Sequence, residues 1–259
     1  MKYFKNDVAS FHYNETALPS VINFCNLIKE YPFILTSFRG MNEKVEAILS
    51  SAGFILYPTV KKTTLFYEST TDCFFKILHP LTLKHKISFL FKDRTRALYN
   101  LSEYLLSKGI KVPQIMAYGL FKKGRRPFWG AKRIDGKSLY DILIRERGIL
   151  PGEVYLKVVD EVAKLHSHGY WFGDAHLSHI FVNDSGVSGF IDIDGIKKNR
   201  PFRLRNLAKD LAGFNYPQLP ISEDEKRDLW RYYIEKSDIK NKKRFLQLVK
   251  HYTERRWKE

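Results

Sequence analysis

The sequence predicts an α+β fold with two lobes: a small N-terminal lobe built on an antiparallel sheet with one helix, and a mainly helical C-terminal lobe. Two observations predict it, since strand-like segments precede residue 135 and amphipathic helical segments dominate after it. The 259 residues, 44% hydrophobic and 15% aromatic, are enough to bury a sizeable core. We therefore divide the chain into an N-terminal extension of irregular or mixed structure at 1–54, an N-lobe at 55–134 and a C-lobe at 135–259.

The N-lobe begins with a predicted hairpin. Residues 63–67 and 73–78 are rich in β-branched and aromatic side chains, and a short polar gap separates them. Residues 93–108 show a helical apolar face, which Gly109 follows as a stop signal. Residues 129–136 look like a strand that runs into a turn, which we interpret as the link between the lobes.

The C-lobe elements follow from local signals. Pro151 opens a helix with apolar residues at helical spacing, and Gly169 ends it. The apolar segments 180–182 and 189–193 flank an Asn-Asp-Ser-Gly turn, which predicts a hairpin. Ser222 begins a Ser-Glu-Asp-Glu capping box that predicts the start of a further helix.

The chain carries a large positive charge, with 44 Lys and Arg against 28 Asp and Glu, a net charge of +16. Basic residues concentrate in segments 197–209 and 236–259. Nucleic acid, an anionic membrane surface and an anionic small substrate are the partners that such a charge suits. No recognition-helix, zinc-finger or aromatic-interleaved RNA signature accompanies the charge, so we expect no nucleic-acid partner. As a secondary inference, we expect the positive charge to suit an acidic inner-membrane surface better than it suits nucleic acid.

The sequence also predicts the compartment. It has no apolar run near the roughly 18 residues that a membrane-spanning helix needs. Its polar start lacks the apolar region of a signal peptide. Cys25 and Cys73 form neither a disulfide framework nor a metal-site spacing. We expect a soluble, reduced, cytoplasmic protein, with peripheral association at the inner membrane as an option that its charge leaves open.

The most informative stretch places two acids around the predicted 180–193 hairpin. Asp174 lies in the loop before the hairpin, His179 follows five residues later, and Asp192 follows Asp174 by 18 residues. Phosphoryl transfer requires this layout: a carboxylate that orients and deprotonates the attacking hydroxyl, and a second one that holds a divalent cation. Asp192 lies in a predicted apolar strand, where an unpaired carboxylate is costly. Asp194, on the same face if extended, offers another oxygen ligand.

Simpler structural roles compete for the same residues. Taken alone, Asp174 fits the role of a turn-capping residue. His179 fits a metal ligand and a hydrogen-bonded core histidine equally well. Asp194 precedes Gly195, which is also a plain turn signal. The three histidines near this stretch do not suggest a zinc site, because their spacing fits no helix face and no cysteine accompanies them: His166, His168 and His176.

The constellation resembles the protein-kinase-like superfamily, and within it the lipopolysaccharide core kinases, the Kdo and heptose kinases of bacteria. In that group a Gly-Asp or Arg-Asp pair stands at the catalytic loop and His can replace the usual Asn; here they are Gly173-Asp174 and His179. Residues 62–66 and 74–79 look like that group's N-lobe strand pair, and residues 205–212 are similar to its Arg-x-x-x-Lys-Asp-Leu-Ala element. The resemblance covers roughly residues 55–215.

The resemblance implies a two-lobed protein-kinase-like fold and an ATP-dependent phosphotransferase acting on a sugar hydroxyl of the lipopolysaccharide inner core. ATP and Mg²⁺ (or Mn²⁺) are the implied cofactors. The implied roles assign Asp174 as the base, Lys76 to the α- and β-phosphates, and Asp192 with His179 or Asp194 to the metal. They also assign the Thr63–Thr64 region to the nucleotide, backbone groups of 129–134 to the adenine, and His166 to a position beneath the catalytic loop.

The sequence departs from this pattern in three respects. It has no glycine-rich phosphate loop, and Lys76 has only Asp93 and Glu103 as available acidic partners. His179 is a softer ligand than Asn and suits Mn²⁺ or Zn²⁺ better than Mg²⁺. Two other readings therefore stay open: a small-molecule kinase of the aminoglycoside or choline type, and a non-catalytic pseudokinase that acts as a binding module.

Overall fold

The computed structural model describes residues 1–35, 43–57, 59, 63–80, 82, 87, 93–199 and 203–258. The chain forms two compact units. The first comprises Met1–Tyr104 and Pro113–Arg133, and the second comprises Leu105–Val112 and Ile134–Glu259. The first unit is built on a sheet and the second is mainly helical, as expected for the predicted α+β class.

A seven-stranded antiparallel sheet with the order β1-β2-β6-β7-β5-β4-β3 organises the first unit. Its strands are β1 (Lys2–Lys5), β2 (Ala9–Tyr13), β3 (Phe54–Tyr57), β4 (Thr63–Glu68), β5 (Cys73–Leu78), β6 (Ile115–Phe121) and β7 (Arg126–Lys132). The predicted hairpin is confirmed by β4 and β5, which pair with Leu65 opposite Lys76. Burial alternates along β5, because successive side chains point to opposite faces of the sheet.

The helices that the structure describes beside this sheet are α1 (Leu18–Glu30), α2 (Glu43–Ser51) and α3 (Arg94–Ser107). The helix predicted at 93–108 is confirmed by α3. Asp93 caps its first turn, since one carboxylate oxygen accepts the Arg96 N–H at 2.9 Å. Gly109 follows with φ of 68°, the left-handed conformation that commonly ends a helix.

The first 54 residues are part of the first unit and do not form a separate extension. The strands β1 and β2 lengthen the sheet beyond β6. Phe24 of α1 is fully buried and contacts a cluster of phenylalanine rings on one face of the sheet: Phe54, Phe66, Phe75, Phe121 and Phe128. The expectation of a separate N-terminal extension of irregular or mixed structure is corrected in one respect: the described part of this segment contains strands and helices and packs into the first unit. Its short apolar pattern does not indicate the distant strands that it contacts.

Among its described residues, the second unit has the α-helices α4 (Gly152–Ser167), α5 (Leu204–Phe214), α6 (Glu223–Lys236) and α7 (Lys242–Arg256). Its short strands are β8 (Lys137–Ser138), β9 (Tyr170–Trp171), β10 (Ile180–Asn183), β11 (Gly186–Phe190) and β12 (Lys197–Lys198). They form a three-stranded sheet, β11-β10-β8, and the pair β12-β9. Helix α4 packs against α6, and α5 packs against α7.

Several predictions for the second unit are confirmed. Helix α4 begins after Pro151, and β10 and β11 form the expected hairpin. Ser222 and Glu225 form the capping box of α6, in which Ser222 Oγ accepts the Glu225 N–H at 3.2 Å. Within the described part of the chain, every helix is too short or too polar to cross a bilayer.

Candidate active site

A tight glycine turn presents Asp174. Gly173 has φ of 77°, and a Cβ at this position would lie 2.6 Å from the carbonyl oxygen of Gly195. Only glycine avoids both the strain and the clash. The turn leaves the side chain of Asp174 75% exposed, and Arg256 Nη2 donates to its Oδ1 at 3.1 Å.

A buried carboxylate holds the backbone just before this turn. Asp210 of α5 is 1% exposed, and its Oδ2 accepts the Phe172 N–H at 2.6 Å. His166 Nε2–H donates to the same oxygen at 3.0 Å, while Tyr233 O–H donates to His166 Nδ1 at 2.6 Å. Burial raises the pKa of Asp210, against the lowering effect of the His166 and backbone hydrogen bonds. His166 and the Phe172 N–H thus share one oxygen of Asp210, which holds the backbone that leads to Asp174.

Asp192 lies outside the strand in which it was expected. Strand β11 ends at Phe190, and Asp192 has φ of 58° and ψ of 41°, at the start of a short 3-10 helix, Ile193–Gly195. The prediction of a strand residue was wrong, because aspartate tolerates this left-handed turn conformation and its apolar neighbours suggested a longer strand. A Cβ on Gly195 would lie 3.2 Å from the Phe172 carbonyl oxygen and 3.8 Å from Asp192 Oδ2. The Asp192 carboxylate therefore lies beside the loop that leads to Asp174.

The two other predicted metal ligands are His179 and Asp194. His179 Nδ1–H donates to the Asp174 carbonyl oxygen at 3.1 Å, which directs Nε2 away from that bond. The Ile191 N–H donates to the His179 carbonyl oxygen at 2.9 Å, so His179 pairs with the segment that carries Asp192. Asp194 lies in the 3-10 helix, so the expectation that strand alternation puts it on the Asp192 face was wrong.

The donor chemistry suits a magnesium ion held mainly by one carboxylate. The described residues contain no group of three or more metal-ligating side chains. Mg²⁺ in phosphoryl-transfer sites is commonly bound by one or two carboxylates together with substrate phosphates and water. Asp192 would supply one such carboxylate if an ion were bound.

Lys76 lies on β5 in the first unit. It pairs in register with Leu65 and Trp129, and its Nζ lies 5.6 Å from the centroid of the Trp129 ring. This distance is within cation–π range. Asp93, one of the two acids expected near this lysine, caps α3, and the other, Glu103, is exposed on that helix.

The neighbouring threonines of β4 point to opposite faces of the sheet. Thr63 shares the face of Leu65 and hence of Lys76. Thr64 is fully buried, and its hydroxyl oxygen lies 2.5 Å from His79 Nε2. Burial and the nearby Arg126 lower the pKa of His79 to about 4, so this imidazole stays neutral at neutral pH. Of the two threonines, only Thr63 shares the face that carries the lysine.

Lys62, the first residue of the predicted strand pair, and Arg200, in the basic segment 197–209, lie outside the described residues.

The structure also contributes residues that the sequence did not single out for the site. Arg256 reaches Asp174 from 82 positions away, and Trp257 Nε1–H donates to the Ala212 carbonyl oxygen at 2.8 Å. The basic character of segment 236–259 was the only sequence signal for this contact. Asp210 had a clearer sequence signal, since it is a charged residue among the apolar residues on one face of α5.

The sequence matches no family model and no curated protein. Solved structures do resemble it. A structure of WbdD with the kinase inhibitor LY294002 has a TM-score of 0.50 at 16% identity, covering 76% of this chain and 44% of that one. Another, of "the bifunctional kinase-methyltransferase WbdD", has a TM-score of 0.50 at 16% identity, covering 74% and 43%. Vaccinia-related kinase 3 has a TM-score of 0.42 at 14% identity, covering 86% and 79%.

The two WbdD structures establish the fold. The chain has a two-lobed, protein-kinase-like α+β fold, as predicted. It spans less than half of the length of the WbdD chains that it matches. A shared fold hosts many activities, so the function has to be argued from the site.

Proposed function

We propose that this protein is an ATP-dependent phosphotransferase that acts on an alcohol group, specifically a sugar hydroxyl of the lipopolysaccharide inner core (Kdo or heptose). One observation carries the proposal: the Gly173 turn exposes Asp174 on a loop that Asp210 anchors, and the Asp192 carboxylate lies beside the same loop. The kinase description printed for WbdD, which shares the fold, supports the reaction type. Dependence on ATP would put the reaction in the cytoplasm.

In this proposal Asp174 accepts a hydrogen bond from the acceptor hydroxyl, orients it towards the γ-phosphorus and takes its proton as the new P–O bond forms. Its exposure makes the carboxylate accessible to such an acceptor. Asp192 would hold Mg²⁺ or Mn²⁺, with His179 or Asp194 as further ligands. When bound, the ion would neutralise charge on the phosphates.

The first unit would bind the rest of the nucleotide. Lys76 would contact the α- and β-phosphates, and Thr63, on the same face of the sheet, would lie near them. Thr64 is a weaker candidate, because its hydroxyl already contacts a buried imidazole. Backbone groups of residues 129–134 would bind the adenine.

The decisive experiment compares wild type with Asp174→Asn in the transfer of labelled phosphate from ATP to lipopolysaccharide core from a kinase-deficient strain. We expect the rate to fall about 10²- to 10⁴-fold, because asparagine keeps the shape and loses the base. Asp184→Asn, at an exposed turn of the same unit, is the matched control and should retain the wild-type rate. An unchanged rate in Asp174→Asn contradicts the assignment.

The same preparation separates the two rivals. Absence of a thermal shift with ATP and either metal would favour the non-catalytic binding module. A protein that phosphorylates amino sugars or choline, and not core sugars, belongs with the small-molecule kinases. The net charge of +16 disfavours cationic acceptors of that kind.

The charge excess motivates a further part of the proposal, association with an anionic inner-membrane surface through segments 197–209 and 236–259. Such binding should weaken as salt rises, because exposed charges are screened. Vesicles with and without anionic lipid at low and high salt provide the test. Binding that does not weaken with salt contradicts the idea.

A further inference from the structure

Four aromatic rings of the second unit cluster beside the Asp174 loop. The closest pair is Tyr216 and Trp257, with centroids 4.6 Å apart. Tyr140 lies 5.4 Å from His176 and 5.6 Å from Tyr216. All four are half-buried, and they come from four separate segments of the chain. His176 is two residues after Asp174, so the cluster adjoins the candidate base.

A guanidinium group lies between this cluster and the base. Arg256 stands 5.4 Å from the Trp257 ring centroid and donates to Asp174 Oδ1 at 3.1 Å. A second cation lies along the same loop, since a Cβ on Gly173 would lie 3.3 Å from Lys197 Cδ. Arg145, near the Tyr140 ring, already pairs with Asp141 at 3.0 Å. Arg145 is thus paired with Asp141, whereas Arg256 is paired with Asp174, the candidate base.

The backbone on either side of Arg256 is held in place by its neighbours. The indole N–H of Trp257 binds the Ala212 carbonyl oxygen of α5 at 2.8 Å. One turn earlier, Asn215 Nδ2 donates to Thr253 Oγ1 at 3.4 Å. The end of α7 is thus held to the helix that also carries Asp210. The stem of the Arg256 side chain therefore begins from a fixed point beside the loop, and its guanidinium is left to choose its partner.

The Arg256–Asp174 pair is easy to exchange. Its two side chains are 30% and 75% exposed, and exposed ion pairs contribute little to stability. A carboxylate or phosphate on a ligand binds a guanidinium in a planar, bidentate manner. Such a ligand would draw Arg256 towards itself and leave Asp174 to accept a hydroxyl. Half-buried aromatic faces with a few polar groups at their edge are typical of ligand sites.

We infer that Tyr140, His176, Tyr216 and Trp257, together with Arg256, form the acceptor subsite, and that it takes a sugar carrying a carboxylate or phosphate near the reacting hydroxyl. The aromatic rings pack against the sugar ring, and Arg256 binds the anionic group. The inference rests on the proposed function, because it takes Asp174 as the base. Arg256 is thereby the residue that determines specificity for an anionic acceptor.

The test uses core oligosaccharide from a kinase-deficient strain, either intact or with its carboxyl groups reduced and its phosphates removed. Binding is measured by calorimetry without ATP, and transfer is measured separately with ATP. Wild type should prefer the intact oligosaccharide. Arg256→Gln should weaken binding of the intact form about 10- to 100-fold and leave the neutralised form unchanged. Arg256→Lys should be intermediate, since it keeps the charge and loses the planar fork.

Arg255→Gln is the matched control, because this exposed neighbour lies on the same turn and is not part of the subsite. It should bind both oligosaccharides as wild type does. Equal weakening of both forms by Arg256→Gln, or no weakening of either, overturns the inference.

The two proposals can fail separately. Arg256-dependent binding without phosphate transfer would overturn the proposed function and leave the subsite. Transfer from a protein whose binding does not depend on Arg256 would overturn the subsite and leave the function.

Discussion

At the scale of single residues, Asp210 links the fold to the candidate chemistry. One of its oxygens accepts both the Phe172 N–H and the His166 Nε2–H on the buried face of α5, where its neighbours are apolar. The carboxylate therefore holds the loop by satisfying two buried donors at once. Removing it would leave two buried donors without their acceptor, which is among the more destabilising changes that a protein interior undergoes.

We predict that Asp210→Ala lowers the free energy of unfolding by about 3–5 kcal/mol. Urea titration followed by circular dichroism measures the change. Asp228→Ala is the control, since Asp228 forms an exposed pair with Arg231 at 3.1 Å and its loss should cost about 0–1 kcal/mol. Equal costs for the two variants would contradict the role given to Asp210.

Asp210→Asn separates positioning from stability. Asparagine keeps an oxygen that accepts the Phe172 N–H, and loses the charge that favours the Nε2–H tautomer of His166. This variant should remain folded and bind ATP as wild type does, while its rate of phosphate transfer falls. A fall in ATP affinity of the same size would point to general disruption instead.

At the scale of elements, α5 matters because it approaches the Asp174 loop closely. A Cβ on Gly213 would lie 2.2 Å from the Ala175 carbonyl oxygen and 3.0 Å from Ala175 Cβ. The neighbour is backbone of the residue after Asp174, so no side-chain rotation relieves the clash. A methyl group at 213 must therefore move either the helix or the loop.

We predict that Gly213→Ala destabilises the protein by about 1–3 kcal/mol and reduces phosphate transfer, because it displaces the Asp174 loop. Gly152→Ala is the matched control: this glycine begins α4 and a Cβ there meets no atom within 4 Å. The control should be neutral or slightly stabilising, since alanine has the higher helix propensity. Thermal unfolding and the transfer assay measure both effects. A Gly213→Ala protein as stable and active as the control would show that the loop is not held at this distance.

Elements with local signals were predictable from the sequence. The β4–β5 hairpin, α3, α4 and the capping box at Ser222 each depend on neighbouring residues, and each is confirmed. The left-handed turn at Asp192 was not predictable, because the loop that packs against it comes from elsewhere in the chain. The same holds for Arg256 and the aromatic cluster, whose members come from segments far apart in the chain and meet only in the folded second unit.

At the scale of the whole molecule, the chain does not divide at a single point. The second unit begins at Ile134, next to the predicted boundary after residue 134, yet it also contains Leu105–Val112. Three hydrogen bonds tie that segment to it. The Lys111 carbonyl oxygen accepts the Phe190 N–H at 2.8 Å, Lys111 Nζ donates to Val187 O at 2.8 Å, and Lys164 Nζ donates to Gly109 O at 2.6 Å. The side chains of Leu105, Ile110 and Val112 are buried.

This arrangement predicts that residues 134–259 alone fold poorly. Without the segment, strand β11 loses the acceptor of its Phe190 N–H, and the cavity left by Ile110 and Val112 costs several kcal/mol, about 2–5 for each large side chain removed. A fragment of residues 105–259 in which 113–133 is replaced by a Gly/Ser linker of about six residues should fold. The short linker suffices because the Lys111 carbonyl oxygen and Ile134 Cδ1 both lie close to Gly189, 3.1 Å and 3.0 Å from the position of its Cβ. Amide hydrogen exchange at β11 compares the two fragments, and equal protection would show that residues 105–112 are dispensable to the second unit.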